Sequence, residues 1–571
     1  MVSMLNKNFV AGACSFILSL ILIQCAGQIP PGGGPPDTVP PTIIRTVPDS
    51  NAVRVQTISI ELEFSEYVDR RSVEESIFIS PYVGELEFDW SGTSVKVSFS
   101  ESLRKNTTYV VNIGTDVVDI RAGNRMAAGF TLAFTTGDSI DRGFISGRVF
   151  DEKPEGVMIF AYTLQGMNPD TLDPSRVKPD YIMQTGRGGT FTLANIAYGV
   201  YRLIAVRDEY RNLLYDKQID QYGVTTADIE VHANRGHVRD VWFRLSREDT
   251  TRPFLTSVRA LDRHHLAVRF SEAMDSLSFE QAVFSIIDTT TQRPTAVAVH
   301  YLNRSLPSLA GVVTATGLDS GATYRLQVER VYDRAGNAID STHASDVFAG
   351  SNSPDTLNPR ISVRALTDSS RGYSPDQPIE IDFSEPVKQA PVIHAITLRD
   401  SSLKPVELEL HWLNATDIEL TPRKQLLSKA WYQIRVLMDS VRDLQGNGYK
   451  DSTFLLRFQT LDLQTTGVIE GTVADGLGEK GTGRIYLTAS SIDLNRARQK
   501  TVRLERPGIF KIDRLAEGKY VINSFRDADS SGSYSFGLPY PFIASERFAV
   551  FPDTLKVRAR WGVEGVLVRF K

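Results

Sequence analysis

Apolar and polar residues alternate with a period of two in three well-separated stretches of the chain. Residues 55–64 read Val-Gln-Thr-Ile-Ser-Ile-Glu-Leu-Glu-Phe, which puts Ile58, Ile60, Leu62 and Phe64 on one side. Leu266-Ala267-Val268-Arg269-Phe270 and Ile379-Glu380-Ile381-Asp382-Phe383 repeat the pattern. Successive strand side chains point to opposite faces, so this period predicts strands with one face buried and one wet. A second predicted strand, Tyr109-Val110-Val111-Asn112-Ile113, recurs as Tyr324-Arg325-Leu326-Gln327-Val328 and Tyr432-Gln433-Ile434-Arg435-Val436. Single helical turns are expected at residues 72–76 and near 276–282.

The alternating strands carry landmarks. Each ends in Phe-Ser-Glu, at Glu66, Glu272 and Glu385, and each is preceded by Asp-Thr-x-x-Pro beginning at Asp37, Asp249 and Asp355. Each is followed by an aspartate and a Gly-Asn pair: Asp119 with Gly123-Asn124, Asp333 with Gly336-Asn337, and Asp443 with Gly446-Asn447. Gly and Asn tolerate positive φ, so these pairs read as turns. Ordered landmarks in three copies mark a repeated domain. A second repeat is interleaved. Gly189-Thr190-Phe191, Gly199-Val200-Tyr201 and Arg207-Asp208 match Gly508-Ile509-Phe510, Gly518-Lys519-Tyr520 and Arg526-Asp527, with 19 residues from first Gly to final Asp in both. The order of the two module types is A-B-A-A-B.

The landmarks of the first type, with Asn106-Thr107-Thr108-Tyr109 and a closing Phe134-Thr135-Thr136, resemble the bacterial Ig-like domains first named from surface-layer proteins (SbsA-type). The third copy closes with Phe458-Gln459-Thr460, and the middle copy keeps only Phe348. The second type resembles the carboxypeptidase-regulatory or transthyretin-like β-sandwich. That resemblance implies that Phe191, Leu193, Phe510 and Ile512 face the core while Gly199 and Gly518 take a tight turn. It implies no peptidase. The expected fold is therefore all-β, with five tandem β-sandwich domains, three Ig-like and two transthyretin-like. Their expected bounds are 37–138, 139–248, 249–351, 352–462 and 463–571, with the second and last transthyretin-like.

A segment at 1–24 and a Pro/Gly-rich tether at 25–36 precede them. Lys7 and the apolar stretch 9–23 read as a secretory signal, too short to span a bilayer. Leu22-Ile23-Gln24-Cys25 resembles the lipobox of bacterial lipoproteins, although Gln24 departs from the usual small residue. The resemblance implies acylation of Cys25, and Ala26 after it favours the outer membrane. The only other cysteine, Cys14, lies in the segment that would be removed, so no internal disulfide is expected. Several acyl chains would anchor the chain stably. The whole layout resembles the lipid-anchored Ig-like proteins of Bacteroidetes, for which no activity is implied. Expected partners are the membrane, through the lipid, and envelope proteins or glycans. A net charge of −5 with both signs dispersed does not point to nucleic acid.

Candidate chemistry is sparse. The repeated acids Glu66, Asp119, Glu272, Asp333, Glu385 and Asp443 can be read as calcium ligands at domain junctions, or as hydrogen-bond acceptors at strand ends and turns. The second reading is preferred. Asp527, Asp529 and Ser531, followed by Gly532, open like a calcium loop, but position 12 is Leu538 where an EF-hand needs a bidentate Glu. This tract is read as a Ser/Gly-rich turn, with no cofactor required and calcium an alternative. The histidines lack metal-site spacing, His300 and His411 sit at matching strand positions, and Trp90, Tyr301 and Trp412 read as packing residues. Recurrent Asp-Thr triplets such as Asp37-Thr38 resemble glycosylation acceptors and equally suit turns. No nucleophile elbow, phosphate loop or dinucleotide fingerprint is present. The chain reads as a non-catalytic envelope scaffold, spacer or interaction module. The alternative, glycan capture, would use the aromatic tract Tyr534, Phe536, Tyr540 and Phe542.

Overall fold

The computed structural model describes residues 37–234, 236–477, 481–492 and 499–571. Cys25, the signal segment and the tether lie outside the described residues. The described chain is almost entirely β and consists of tandem β-sandwiches. It forms two compact units. The first runs to Pro169 and takes in Lys178–Arg207 and Asp228–Phe243; the second comprises Asp170–Val177, Asp208–Ala227 and Arg244–Lys571. The segment expected to be one domain at 139–248 thus contributes to both.

In the first unit a sheet in the order Ile43–Val47, Ser59–Phe64, Ser94–Phe99 and Leu86–Ser91 shares a core with the sheet Ile77–Ser80, Thr108–Ile113 and Phe130–Thr135. Ile60, Leu62 and Phe64 from one sheet meet Tyr109, Val111 and Ile113 from the other. Ile58, expected on the buried face, is 55% exposed because the strand begins only at Ser59. The helical turn spans Arg70–Glu74, two residues before its expected start, because Asp69 caps it by accepting the Ser72 N–H.

The same unit holds Gly143–Phe150 paired with Thr190–Ile196, and Met158–Thr163 between Tyr181–Gln184 and Gly199–Arg207. Phe191 and Leu193 are buried as expected. The left-handed position is not Gly199 but Asn195, with φ 59, at a bulge in the strand before it. Gly147 is required by close approach, since a Cβ there would overlap the Val241 carbonyl and the Phe191 ring.

The second unit contains two further pairs of sheets of the first kind. One runs Leu255–Ala260, His265–Phe270, Leu309–Thr314, Val297–Leu302, with Pro294–Thr295, Val283–Asp288, Thr323–Glu329, Ser345–Ala349. The other runs Ile361–Val363, Ile379–Phe383, Asp417–Pro422, Leu408–Trp412, with Ser370–Tyr373, Thr453–Thr460, Trp431–Leu437, Ile396–Asp400, Pro405–Val406. A helix at Ser276–Glu280 falls where expected, and one at Gln389–Ala395 was not anticipated. Three tyrosines do the same work in the three copies. The hydroxyls of Tyr109, Tyr324 and Tyr432 accept the N–H of Arg104, Asp319 and Leu427, and the rings stack on Phe134, Phe348 and Phe458.

The last sandwich repeats the second module type. Gly467–Asp475 lies between Gly508–Leu515, antiparallel, and Gly562–Phe570, parallel. Arg484–Ser491 and Gly518–Asp527 form the facing sheet with Gln499–Leu504, Phe548–Val550 and Leu555–Val557. Phe510 and Ile512 enter the core, Arg514 at φ 56 takes the place of Asn195, and Gly518 is extended. The Asp475 side chain is fully buried between Arg526 and Arg547, 2.8 Å from each. No helix among the described residues is long and apolar enough to cross a membrane.

Candidate cation-binding carboxylate clusters

The repeated acids are gathered by a local mechanism common to the copies. The opening aspartate folds back on its own chain, with Asp37, Asp249 and Asp355 each accepting the N–H two residues on at 3.0 Å. The Gly-Asn turn winds around the later aspartate. Asp119 accepts the N–H groups of Ala122, Gly123 and Asn124; Asp333 those of Ala335 and Asn337; Asp443 those of Gly446 and Asn447. Gly123, Gly336 and Gly446 have φ of 73, 88 and 99, as the turn chemistry requires. The turn is then tied to the start of its copy, because the Asn124 amide donates to the Asp37 carbonyl and that of Asn337 to the Asp249 carbonyl. Bridges from Val68 to Asp119, Met274 to Asp333 and Val387 to Asp443 bring in the glutamate two residues earlier.

Three carboxylates therefore converge. Those of Asp249, Glu272 and Asp333 lie within 4.8 Å of one another, as do those of Asp355, Glu385 and Asp443. In the first copy Asp119 and Asp37 both act electrostatically on Glu66. The aspartates are hydrogen-bond acceptors, as expected. The glutamates are not: among the described residues no hydrogen bond reaches Glu66, Glu272 or Glu385, which corrects the acceptor role assigned to them. Instead, burial and then the neighbouring aspartates push all three upward from the usual carboxylate range.

The effect is largest for Glu385, raised to about 7 by burial and by Asp355, with His265 opposing and Asp443 and Asp262 adding. The His265 ring sits among carboxylates, its Nδ1 2.8 Å from Asp262 and 3.7 Å from Asp355, its Nε2 3.9 Å from Glu385. Sequence reasoning missed His265. The spacing Asp262-x-x-His265 was visible, but the other two partners belong to the next copy. Chemically, such a cluster can hold a proton or accept a hard cation.

A fourth cluster lies in the last sandwich, where Asp527, Asp529 and Glu546 bring their carboxylates within 4.8 Å. Asp527 closes the strand Gly518–Asp527 and accepts the Gly532 N–H at 3.1 Å. Asp529 accepts the Ser531 N–H at 2.9 Å and the Ser535 hydroxyl at 2.5 Å, which hold it at about 2. Ser531, on the same loop, donates its hydroxyl to the Ser533 carbonyl at 2.9 Å. Glu546, absent from the sequence reading, accepts the N–H groups of Ala528 and Ser535 at 2.6 and 3.0 Å. It stands 19 residues after Asp527, outside the spacing that a contiguous loop pattern tests.

Of the neighbouring aromatic tract, Tyr534 and Phe536 pack together and Tyr540 and Phe542 are half-exposed. Tyr534 contacts Phe525, Phe536 and Phe548, and Arg244 lies over Tyr534 and Phe548 at 5.0 and 4.5 Å. Lys217 sits over Tyr540. His300 is likewise a packing residue, its Nε2 3.1 Å from the Phe279 carbonyl, whereas His411 faces solvent. Trp90 and Trp412 stack on Phe64 and Phe383.

Residues 37–136 and 355–460 each match the family model of the bacterial Ig-like domain. These bacterial Ig-like stretches hold the clusters around Glu66 and Glu385; the copy around Glu272 lies outside both. Among curated proteins none matches the chain in sequence. Similar solved structures include the surface-layer protein SbsC, domains 1–6, at 8% identity over 91% of this chain and 66% of that one, TM-score 0.17. The N-terminal part of bacterial SbsC matches at 15% identity over 36% of this chain and 44% of that one, TM-score 0.16. The chain thus spans less than two thirds of these surface-layer structures. L,D-transpeptidase 1 of Mycobacterium tuberculosis matches at 12% identity over 34% of this chain and 90% of that one, TM-score 0.17.

Proposed function

We propose that this chain is a non-catalytic lipoprotein of the bacterial cell envelope, lipid-anchored to the outer membrane through Cys25, whose tandem β-sandwiches serve as scaffold, spacer or protein-interaction module. The observation that supports it most is the match of two separate stretches to the bacterial Ig-like domain, with the Tyr324 and Glu272 geometry repeating in the copy between them. Repetition of one arrangement suits a spacer, since three copies in separate cores do not build one active centre. Packing of Tyr534 against Phe536 and Phe548 favours this reading over glycan capture by the aromatic tract. The proposed domain bounds are 37–138, 139–248, 249–351, 352–462 and 463–571.

Fractionation of cells tests the anchor. Cys25→Ser is expected to move the protein out of the membrane fraction or leave it as an uncleaved precursor. Intact mass showing a mature N-terminus other than acylated Cys25 would overturn the assignment. Crosslinking in cells, followed by capture of the lipidated protein, would identify the partner.

A further inference from the structure

We propose that the last sandwich binds one Ca²⁺ between Asp527, Asp529 and Glu546, with Ser531 and the Ser533 carbonyl completing the site. Two independent observations carry this. The first is the donor set: three carboxylates within 4.8 Å, all oxygen ligands, which is the chemistry a hard cation selects. The second is a buried orphan. Asp527 is only 3% exposed, its Oδ2 takes the Gly532 N–H, and its Oδ1 has no hydrogen-bond partner. A buried carboxylate oxygen without a donor is costly, and a bound cation supplies what is missing.

No lysine, arginine or histidine among the described residues forms an ion pair with any of the three. The adjacent Arg526 and Arg547 are both turned to Asp475. The backbone agrees with a cation. Asp527, Asp529 and Ser531 stand at positions one, three and five, Gly532 at φ 76 stands at six, and the Ser533 carbonyl at seven lies beside the Ser531 hydroxyl. The closing acid expected at position twelve, where Leu538 stands, is supplied by Glu546 instead. Its two bonds, to Ala528 and Ser535, fix it to both ends of the loop. Six to eight oxygens at about 2.3–2.6 Å suit Ca²⁺, and its looser geometry fits an irregular loop better than the strict octahedron of Mg²⁺.

Equilibrium dialysis of the full chain against radioactive calcium tests the assignment, comparing it with Asp529→Asn, Asp527→Asn and Glu546→Gln. The intact chain is expected to bind with a Kd of about 10⁻⁴–10⁻³ M, the range of extracellular calcium modules. Each variant is expected to lose one equivalent of calcium per chain, or to bind it at least tenfold more weakly. Counting equivalents separates this site from any calcium held by the acids of the Ig-like copies. Asp529 is exposed, so Asp529→Asn decides the matter should Asp527→Asn fail to fold. An intact chain that binds no calcium, or an Asp529→Asn chain of native near-ultraviolet circular dichroism that binds as much as the parent, overturns the proposal.

Discussion

Glu385 carries a charge problem that its fold does not solve with hydrogen bonds. Held at about 7 when folded, and near 4.5 when unfolded, it takes up more protons in the folded state between those values. Its contribution to stability is therefore fully present below about pH 4.5 and is lost as pH rises through 7. Glu385→Gln keeps the shape and removes the charge, so it should stabilise the chain at pH 8 by about 1–3 kcal/mol and do little at pH 5. Asp355, Asp443, Asp262 and His265 face the same carboxyl and remain in both proteins. Calorimetric melts of parent and variant at the two pH values check this, and parallel pH dependences would refute it. The recurrence of these acids was legible in the sequence. Their convergence was not, because it depends on side-chain bonds such as Asn124 to the Asp37 carbonyl, which span 87 residues.

Strands were the most legible elements, since period-two alternation survives wherever one face is wet, as in Ser59–Phe64 and Ile379–Phe383. The helix Gln389–Ala395 escaped because Pro391 stands inside it and Lys388 offers no side-chain cap. The left-handed turn residue was misplaced onto glycine, when a bulge gives that conformation to Asn195 and Arg514. The Arg-Asp landmark ending the longest strands has a divided purpose. Arg526 holds the acid of the first strand, Asp475, while Asp527 turns to the loop. Asp475→Asn leaves Arg526, 4% exposed, and Arg547 without their charge partner and should cost about 3–5 kcal/mol. In the other copy Arg207 pairs with the more exposed Asp151, so Asp151→Asn should cost less. Chemical denaturation of the two variants checks the order, and equal losses would count against it.

At the scale of the molecule, the landmarks located each core. The cluster of Ile60, Phe64, Tyr109 and Phe134 draws only on residues between Ile43 and Phe134. Residues 37–138 made alone should therefore fold as a β-rich monomer with a cooperative melt. Its losses are small, notably the Asn112 amide bond to the Ile182 carbonyl and the Ser80 hydroxyl that accepts the Ile182 N–H. A circular dichroism spectrum of random coil would show that the repeat unit is not autonomous. What the sequence could not locate was the membership of residues 170–177 and 208–227: the second segment bonds to residues far along the chain, such as Tyr222 to the Gly537 carbonyl, and the first is tied to it where the Tyr215 N–H donates to the Pro174 carbonyl.

The parallel pairing of Gly467–Asp475 with Gly562–Phe570 has a mechanical consequence. Tension applied to the chain on either side of this sandwich pulls the two neighbouring strands in opposite directions along their length. The load falls across the whole ladder at once, where an antiparallel hairpin pulled from its open end would give way one bond at a time. The same pairing recurs where Ser370–Tyr373 runs beside the end of Thr453–Thr460, and as a single bridge from Ala52 to Phe134. Strands clasped in shear near the two ends of a sandwich are suited to bearing force, so the last sandwich, where the parallel ladder is long, is expected to resist stretching by its topology as well as by its core.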